Sequence, residues 1–288
     1  MESLYQYGWS VYIEKSNYSE QTDLENTGRV ISVKGNIYEI ITLKGIRKAE
    51  LLGRLLFSFQ KWEQPKVGDW VEWIDYGEAA IISDVLPRYN QFYRKTAGKE
   101  AEKQVMAVNI DKVVIIQGLD NDFNLNRIER YLVQIATCGI KAVVILNKSD
   151  LIEDEAVYRK EIQRLQRDTP VYFCSVKNGS GLEIIQREVF VSGSTSLLVG
   201  SSGVGKTSLL NTLTKSGRKT KEISESTGKG KHTTTTRDMI LLDNGGIVID
   251  SPGMREFGLG FDEEASFEEQ YPAISKYAKD CKFSDCTH

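Results

Sequence analysis

The alternation of apolar and polar positions changes character along the chain. From Gly28 to Val85 its period is two. Arg29-Val30-Ile31-Ser32-Val33 is followed by a Lys34-Gly35-Asn36 turn and by Ile37-Tyr38-Glu39-Ile40-Ile41-Thr42-Leu43. Val67-Gly68-Asp69-Trp70-Val71-Glu72-Trp73 and Ala79-Ala80-Ile81-Ile82-Ser83-Asp84-Val85 continue the pattern. Short strands with glycine turns over about 60 residues predict a small five-stranded all-β barrel of the OB type, although strand counting alone also admits another small barrel. From Asp111 strands and helices alternate: Val113-Val114-Ile115-Ile116 as a strand, 127–136 at helical spacing, and 142–146 as the next strand. A charged helix over about 154–167, a strand at Val171-Tyr172-Phe173-Cys174 and a helix over 182–189 follow. Apolar strands joined by helical crossovers predict a doubly wound α/β domain. The expected division is a polar leader at 1–25, the barrel at 26–87, the α/β domain at 88–260 and a C-terminal segment at 261–288, with no internal repeat.

Two segments at strand ends carry the chemistry. Gly200-Ser201-Ser202-Gly203-Val204-Gly205-Lys206-Thr207 follows Ser196-Leu197-Leu198-Val199 and opens a helical stretch. Glycines at this spacing let backbone amides around 203–206 close on a β-phosphate. Lys206 supplies charge for the β/γ oxygens, the Thr207 hydroxyl fits a Mg²⁺ ligand, and the helix N-terminus faces the phosphates. Residues 200–207 and Ser208 are therefore candidate nucleotide contacts, with Lys206 also catalytic. Asn147-Lys148-Ser149-Asp150 ends the apolar run Ala142-Val143-Val144-Ile145-Leu146. A carboxylate at Asp150 can accept from guanine N1–H and N2–H₂, a pair that adenine cannot supply. Asn147 can address the O6/N7 edge, and the Lys148 stem can lie over the ring. Alone, these four residues also read as a helix cap. Ser175-Val176-Lys177-Asn178-Gly179 resembles the loop whose backbone touches guanine O6, making Ser175 and Lys177 candidates; by itself it is a turn. The base-reading motif precedes the phosphate loop, the reverse of ordinary GTPases, which predicts a circularly permuted GTP-binding domain.

Asp250-Ser251-Pro252-Gly253 closes the strand Gly246-Ile247-Val248-Ile249. Asp250 can hold a water of the Mg²⁺ shell and the Gly253 amide can donate to the γ-phosphate. Between them and the phosphate loop lies Gly228-Lys229-Gly230-Lys231-His232-Thr233-Thr234-Thr235-Thr236-Arg237, suited to closing over Mg²⁺ and the γ-phosphate, with Thr234 favoured for that contact. In Ras-type enzymes a Gln after this Gly orients the attacking water. Here the position is Met254, so His232, Arg237, a backbone group or a partner must take that role, or intrinsic hydrolysis is very slow.

Composition narrows the setting. The chain of 288 residues is 40% hydrophobic and 27% charged, in the range of ordinary globular proteins. Its apolar runs are strand-length, its start lacks a secretory pattern, and its 4 cysteines are unevenly spaced, so a cytoplasmic protein with no membrane span is expected. The net charge of −3 hides an uneven distribution: residues 29–66 carry 8 basic against 3 acidic side chains, and 86–104 carry 5 against 2. Such stretches can neutralise phosphates, though runs of this kind are more often solvated faces.

Three further segments complete the pattern: Ala107-Val108-Asn109-Ile110-Asp111, Arg127-Ile128-Glu129-Arg130-Tyr131-Leu132, and Cys281-Lys282-Phe283-Ser284-Asp285-Cys286-Thr287-His288. With the inverted motif order they resemble the small-ribosomal-subunit-dependent GTPases, the RsgA/YjeQ family, over essentially the whole chain. The resemblance implies an α/β P-loop GTPase domain, circularly permuted, preceded by an OB-type barrel that contacts rRNA and followed by a short Cys/His segment. It also implies GTP hydrolysis stimulated by the small ribosomal subunit during late subunit maturation. The implied cofactors are GTP or GDP and Mg²⁺, and the implied partners are the small ribosomal subunit and its rRNA, the protein acting as a monomer. The family's tail binds Zn²⁺ through four residues, one cysteine lying several residues past the His. Here Cys281, Cys286 and His288 are present and this sequence stops at His288: the fourth ligand lies in sequence beyond it, is supplied by water or another molecule, or is lost from a vestigial site. In the permuted order the 250–253 switch leads directly into this tail. The alternative of another class is a non-catalytic RNA-binding adapter gated by nucleotide; an ATP-dependent enzyme is disfavoured by Asn147 and Asp150.

Overall fold

The computed structural model describes residues 2–18, 23–60, 62–77, 79–95, 103–165, 168–214 and 237–250. Its barrel strands are β1 (Thr27–Lys34), β2 (Ile37–Thr42), β3 (Gly45–Leu51), β4 (Trp70–Tyr76) and β5 (Ala79–Val85), with helix α3 (Gly53–Ser58) between β3 and β4. β3 is the strand that the apolar pattern did not mark: arginine, lysine and glutamate fill it, and only Ala49 is buried. The strands pair in the circuit β1-β2-β3-β5-β4-β1, with β3 and β5 parallel, so the barrel closes with the OB connectivity. A register shift between Val30 and Ser32 in the β1–β2 pairing lets β1 turn away from one neighbour toward another. Val30, Tyr38, Ile40, Ala49, Val71, Trp73, Ala80 and Ile82 fill the interior.

The polar leader expected over 1–25 is corrected over its described part. Helices α1 (Glu2–Gln6) and α2 (Trp9–Ser16) dock on the barrel wall. Trp9 and Tyr12, three residues apart and therefore on one helix face, are buried with Leu4 against Trp70 and Leu86. The Trp9 ring meets Trp70 edge-on at 4.7 Å between centroids. Three apolar anchors among charged neighbours suffice to dock a short helix while leaving its overall composition polar.

The α/β domain has parallel strands β8 (Lys112–Gly118), β9 (Lys141–Asn147), β10 (Val171–Phe173), β11 (Thr195–Val199) and β13 (Ile247–Asp250), with β12 (Arg237–Leu241) antiparallel to β13. The spatial order is β10-β9-β8-β11-β13-β12. Odd and even positions of β8 serve opposite faces. Val113 and Ile115 pack with Ile128, Tyr131 and Leu132 of α4 (Leu125–Thr137) and Ile162 of α5 (Glu155–Leu165). Val114 and Ile116 pack with Ile185 of α6 (Leu182–Glu188) and Leu209, Leu210 and Leu213 of α7 (Lys206–Leu213). Burial on both faces explains why these strands read as unbroken apolar runs.

A hairpin, β6 (Gln91–Lys95) and β7 (Lys103–Val108), follows the barrel, and β12 pairs with β1 through Ser32–Asp238 and Val33–Arg237. Barrel and α/β sheet thereby merge into one 11-stranded sheet. At the junction the buried Arg29 guanidinium donates to the carbonyls of Tyr7, Gly68 (3.3 Å) and Asn109 (3.1 Å), and lies over the Trp70 ring. Burial lowers its pKa, opposed by Tyr89, Asp111 and Asp69. No helix among the described residues is long and apolar enough to cross a membrane.

Candidate nucleotide-binding site

The candidate residues of the described chain meet at the carboxyl ends of β8, β9, β10, β11 and β13, the edge where ligands bind in open α/β sheets. β11 delivers the loop 200–205, and α7 begins at Lys206. Gly200 (φ 152°) approaches so closely that a Cβ there would lie 2.3 Å from the Ile116 carbonyl oxygen. At Gly205 (φ 97°) a Cβ would meet the Asn147 amide nitrogen at 2.3 Å. Both positions need glycine for space as well as for backbone conformation. Val204 is buried and anchors the loop in the core, whereas Ser202, Gly203 and Ser208 are exposed and Thr207 is half-buried at the helix start. Lys206 is only 8% exposed, and its Nζ donates to the carbonyls of Gly200 and Ser201, each at 2.7 Å. Burial lowers its pKa, and the carboxylates of Asp250 and Asp122 oppose that shift. A buried ammonium held by neutral carbonyls gains from a charged phosphate oxygen, the stronger acceptor.

On the base side Asn147, expected on the O6/N7 edge of guanine, also joins loops. Its Nδ2 donates to the Val204 carbonyl at 2.9 Å, and its Oδ1 accepts from the Val176 amide at 3.2 Å and from Cys174 Sγ at 3.7 Å. It is 4% exposed, so this amide ties the phosphate loop to both base-side loops. Lys148 takes a left-handed conformation (φ 68°), and its ammonium pairs with Asp120 at the end of β8. Asp150 opens outward, accepting from Ser175 Oγ at 2.6 Å with Lys177 Nζ at 3.8 Å. The Ser175 hydrogen bond leads in lowering its pKa, keeping the carboxylate charged as an acceptor.

On the phosphate side Asp250 ends β13. Its Oδ1 is buried without a hydrogen-bond partner among the described residues. Burial raises the pKa of this carboxyl and Asp238 adds to the rise, while Lys206 opposes it. An orphaned carboxylate oxygen within the electrostatic reach of the phosphate-loop Lys206 fits a cation with its water shell. Arg127 was quoted only as part of a sequence segment, yet its Nη1 donates to Ser201 Oγ and to Asp122 Oδ2 (2.8 Å), clamping α4 to the phosphate loop. Asn124 caps that helix by accepting from Arg127 N, and Gln117 holds Asn124 through its backbone N–H and C=O. Asp120 and Arg127 could have been found from their places at a strand end and a helix start on this edge.

Arg237, expected as one candidate for orienting water, contacts the hairpin. Its Nη2 donates to Met106 Sδ at 3.0 Å in the hairpin. His232, Thr234, Gly253, Met254, Cys281, Cys286 and His288 lie outside the described residues.

A family model described as RsgA GTPase matches residues 85–260. The chain belongs to this family. It is 40% identical over 284 residues to "Small ribosomal subunit biogenesis GTPase RsgA 1" of Bacteroides thetaiotaomicron, covering 98% of this chain and 79% of that protein. A protein of the same name from Listeria innocua is 38% identical, with 99% and 80% covered. Among solved structures, YjeQ from Thermotoga maritima superposes with a TM-score of 0.62 at 25% identity, over 91% of this chain and 86% of that one. YloQ, described as a circularly permuted GTPase, superposes at 0.59 with 20% identity, over 94% and 86%, and shares the fold. The inverted order of β9 and β11 is thus the family's permutation, and the protein is a GTPase acting in small-subunit maturation.

Proposed function

We propose that this RsgA-family GTPase binds rRNA of the small ribosomal subunit through its barrel and hydrolyses GTP under stimulation by that subunit, late in its maturation. The observation that supports the reading most is the bridge by Asn147 between the base-side loops and Val204 of the phosphate loop. It unites two segments of inverted chain order in one site. Asp150 is the guanine acceptor, with Ser175 fixing its carboxylate and Lys177 beside it. Lys206 and the backbone amides of 200–205 hold the β- and γ-phosphates and stabilise charge that develops on them. Thr207 and Asp250 would hold Mg²⁺, which when bound neutralises phosphate charge and orients the phosphates. The Gly253 amide and Thr234 complete the γ-phosphate side, with His232 as the candidate for orienting water. An apolar Met254 cannot orient it, which makes slow intrinsic turnover and ribosomal stimulation two faces of one property.

The test is GTP turnover, against ATP, with and without purified small subunits. GTP-specific stimulation is expected. Tight GTP binding with negligible turnover even on the subunit would replace this reading with the adapter. Zn²⁺ at Cys281, Cys286 and His288 is a separate expectation, checked by metal content of the purified protein.

A further inference from the structure

Helix α3 and the turn after it form an apolar projection within a locally basic stretch of a barrel whose charges balance overall. None of the helix's residues is buried. Phe57 is 90% exposed, the highest among the large exposed hydrophobic residues described, with Leu56 at 41% and Trp62 at 47%. Exposed aromatics on a flexible loop would carry little meaning, but this segment is fastened. Leu52 N–H donates to the Ile82 carbonyl of β5 at 2.9 Å, and Phe59 N–H closes the helix on the Leu55 carbonyl at 2.9 Å. Glu63 then caps the following turn, its Oε2 accepting from Gln60 N–H at 2.7 Å.

Arg88 fixes the far end of the projection. It donates to the carbonyls of Trp62 (2.8 Å), Glu63 (3.4 Å) and Gln64 (3.1 Å). The same guanidinium is locked in a bidentate pair with the buried Asp69, at 2.8 and 2.7 Å. The Trp62 backbone is therefore set by a buried ion pair while its ring faces solvent. A platform built before its ligand arrives loses little conformational entropy on binding.

The chemistry of the surroundings selects the occupant. Residues 44–66 contain 6 basic side chains (Lys44, Arg47, Lys48, Arg54, Lys61, Lys66) against 2 acidic ones (Glu50, Glu63). Arg54 lies in the helix itself and is exposed, as is Lys48 on β3. Aromatic faces presented from a backbone rich in cations are what unpaired nucleotides require: stacking for the base and charge for the phosphate. We propose that Phe57 and Trp62 form a stacking platform for unpaired bases of RNA. This rests on the rRNA-binding reading above and places the contact on the β3–β4 connection of the barrel.

The chain supplies its own probe. Of its 4 tryptophans, Trp9, Trp70 and Trp73 are at most 4% exposed, so Trp62 alone is open to a stacking quencher. Intrinsic fluorescence of the full-length protein is titrated with a single-stranded RNA decamer of mixed sequence and, separately, with a duplex of equal length. Single-stranded RNA is expected to quench part of the emission, and Trp62→Phe to abolish the quench while three buried emitters remain. Phe57→Leu and Trp62→Leu keep apolar area but remove the π-face, and each is expected to weaken RNA binding by about 5- to 150-fold. GTP turnover without RNA is expected to stay at its wild-type value.

Unchanged RNA affinity in both leucine variants, or binding without any quench, overturns the platform and leaves the rRNA-binding reading intact. Loss of small-subunit binding with unchanged affinity for naked RNA also overturns it, in favour of a ribosomal protein docking on the same residues. Wild-type protein that binds neither the decamer nor small subunits sinks the rRNA-binding reading itself.

Discussion

Replacing Asn147 with Ala separates a loop brace from a base reader. The wild-type amide satisfies the buried Val204 carbonyl at 2.9 Å and the half-buried Val176 amide at 3.2 Å. A buried carbonyl left without a partner costs about 1–3 kcal/mol, and a half-buried N–H costs less because water can reach it. The combined loss is about 2–4 kcal/mol, and the site cannot refill with solvent easily because Asn147 is 4% exposed. At roughly 2–4 °C per kcal/mol for a domain of this size, the nucleotide-free protein should melt about 4–16 °C lower. Thermal scans without nucleotide measure that shift. Titrations with GTP and 7-deaza-GTP, which lacks the N7 acceptor, then locate the origin of any loss in affinity. A brace predicts that both nucleotides weaken by the same factor, since the phosphate loop itself is loosened. The brace assignment is wrong if the melting temperature is unchanged and a wild-type preference for GTP over 7-deaza-GTP disappears in the variant.

Gly200→Ala places a Cβ 2.3 Å from the Ile116 carbonyl oxygen, so backbone must move. A loss of about 2–5 kcal/mol in stability is expected, seen as an early denaturation midpoint together with abolished GTP binding. Stability should rise with pH between about 8 and 9, because burial lowers the Lys66 pKa from 10.5 to about 8 and the folded state then binds fewer protons than the unfolded chain; from about 9 the buried Cys174 thiol, pushed up from 9.0 to about 12, offsets the gain. Above about 10 it should fall again, since burial raises the pKa of Tyr12, Tyr89 and Tyr131 above the ordinary 10.0 and the folded state retains their protons. Urea midpoints measured from pH 7 to 11 check both limbs, and a flat profile across 8–9 would refute the Lys66 assignment. Native Cys174, buried with its thiol pushed up to about 12, should resist iodoacetamide at pH 8 and react on denaturation, read by mass spectrometry of its peptide.

The sequence was most legible where local pattern and tertiary burial agree. β8 and β9 are apolar throughout because both faces are covered, and Gly200 and Gly205 stand where a side chain would strike Ile116 or Asn147. Legibility failed where a few residues outweigh the average of their neighbours. The first 16 residues look polar, yet Leu4, Trp9 and Tyr12 dock both short helices. β3 looks like a charged loop because its pairing, with β2 on one side and β5 on the other, comes from backbone and not from apolar side chains. The Asn147 motif pointed to a base contact and gave no sign of the residue's protein partners. A four-residue motif specifies where a side chain sits at a strand end. That it also braces two other loops depends on the approach of Val176 and of Val204, the latter 57 positions away in sequence. Arg127 was hidden for the same reason, since its partner Ser201 is 74 positions distant.

Permutation leaves the nucleotide edge unaltered because that edge depends on strand order in space. Moving the chain ends changes what is joined to it. β12, an edge strand in the α/β sheet, acquires β1 of the barrel as a second neighbour, so its outer N–H and C=O groups are covered where an open edge would invite other strands. Among the described residues two pairs make that seam, a short one for fixing the barrel's orientation. The buried Arg29 supplies the rest, binding carbonyls from the N-terminal helices, the barrel and the segment leading into β8. A guanidinium held by carbonyls is a costly choice for a core, because no carboxylate among the described residues pairs with it and burial lowers its pKa. Its five donors in a planar fork can nevertheless satisfy several acceptors that arrive from different elements, which no apolar side chain of similar size could do. Barrel and nucleotide edge are thereby held as one body through polar contacts, and displacement of either must break hydrogen bonds that water cannot readily replace.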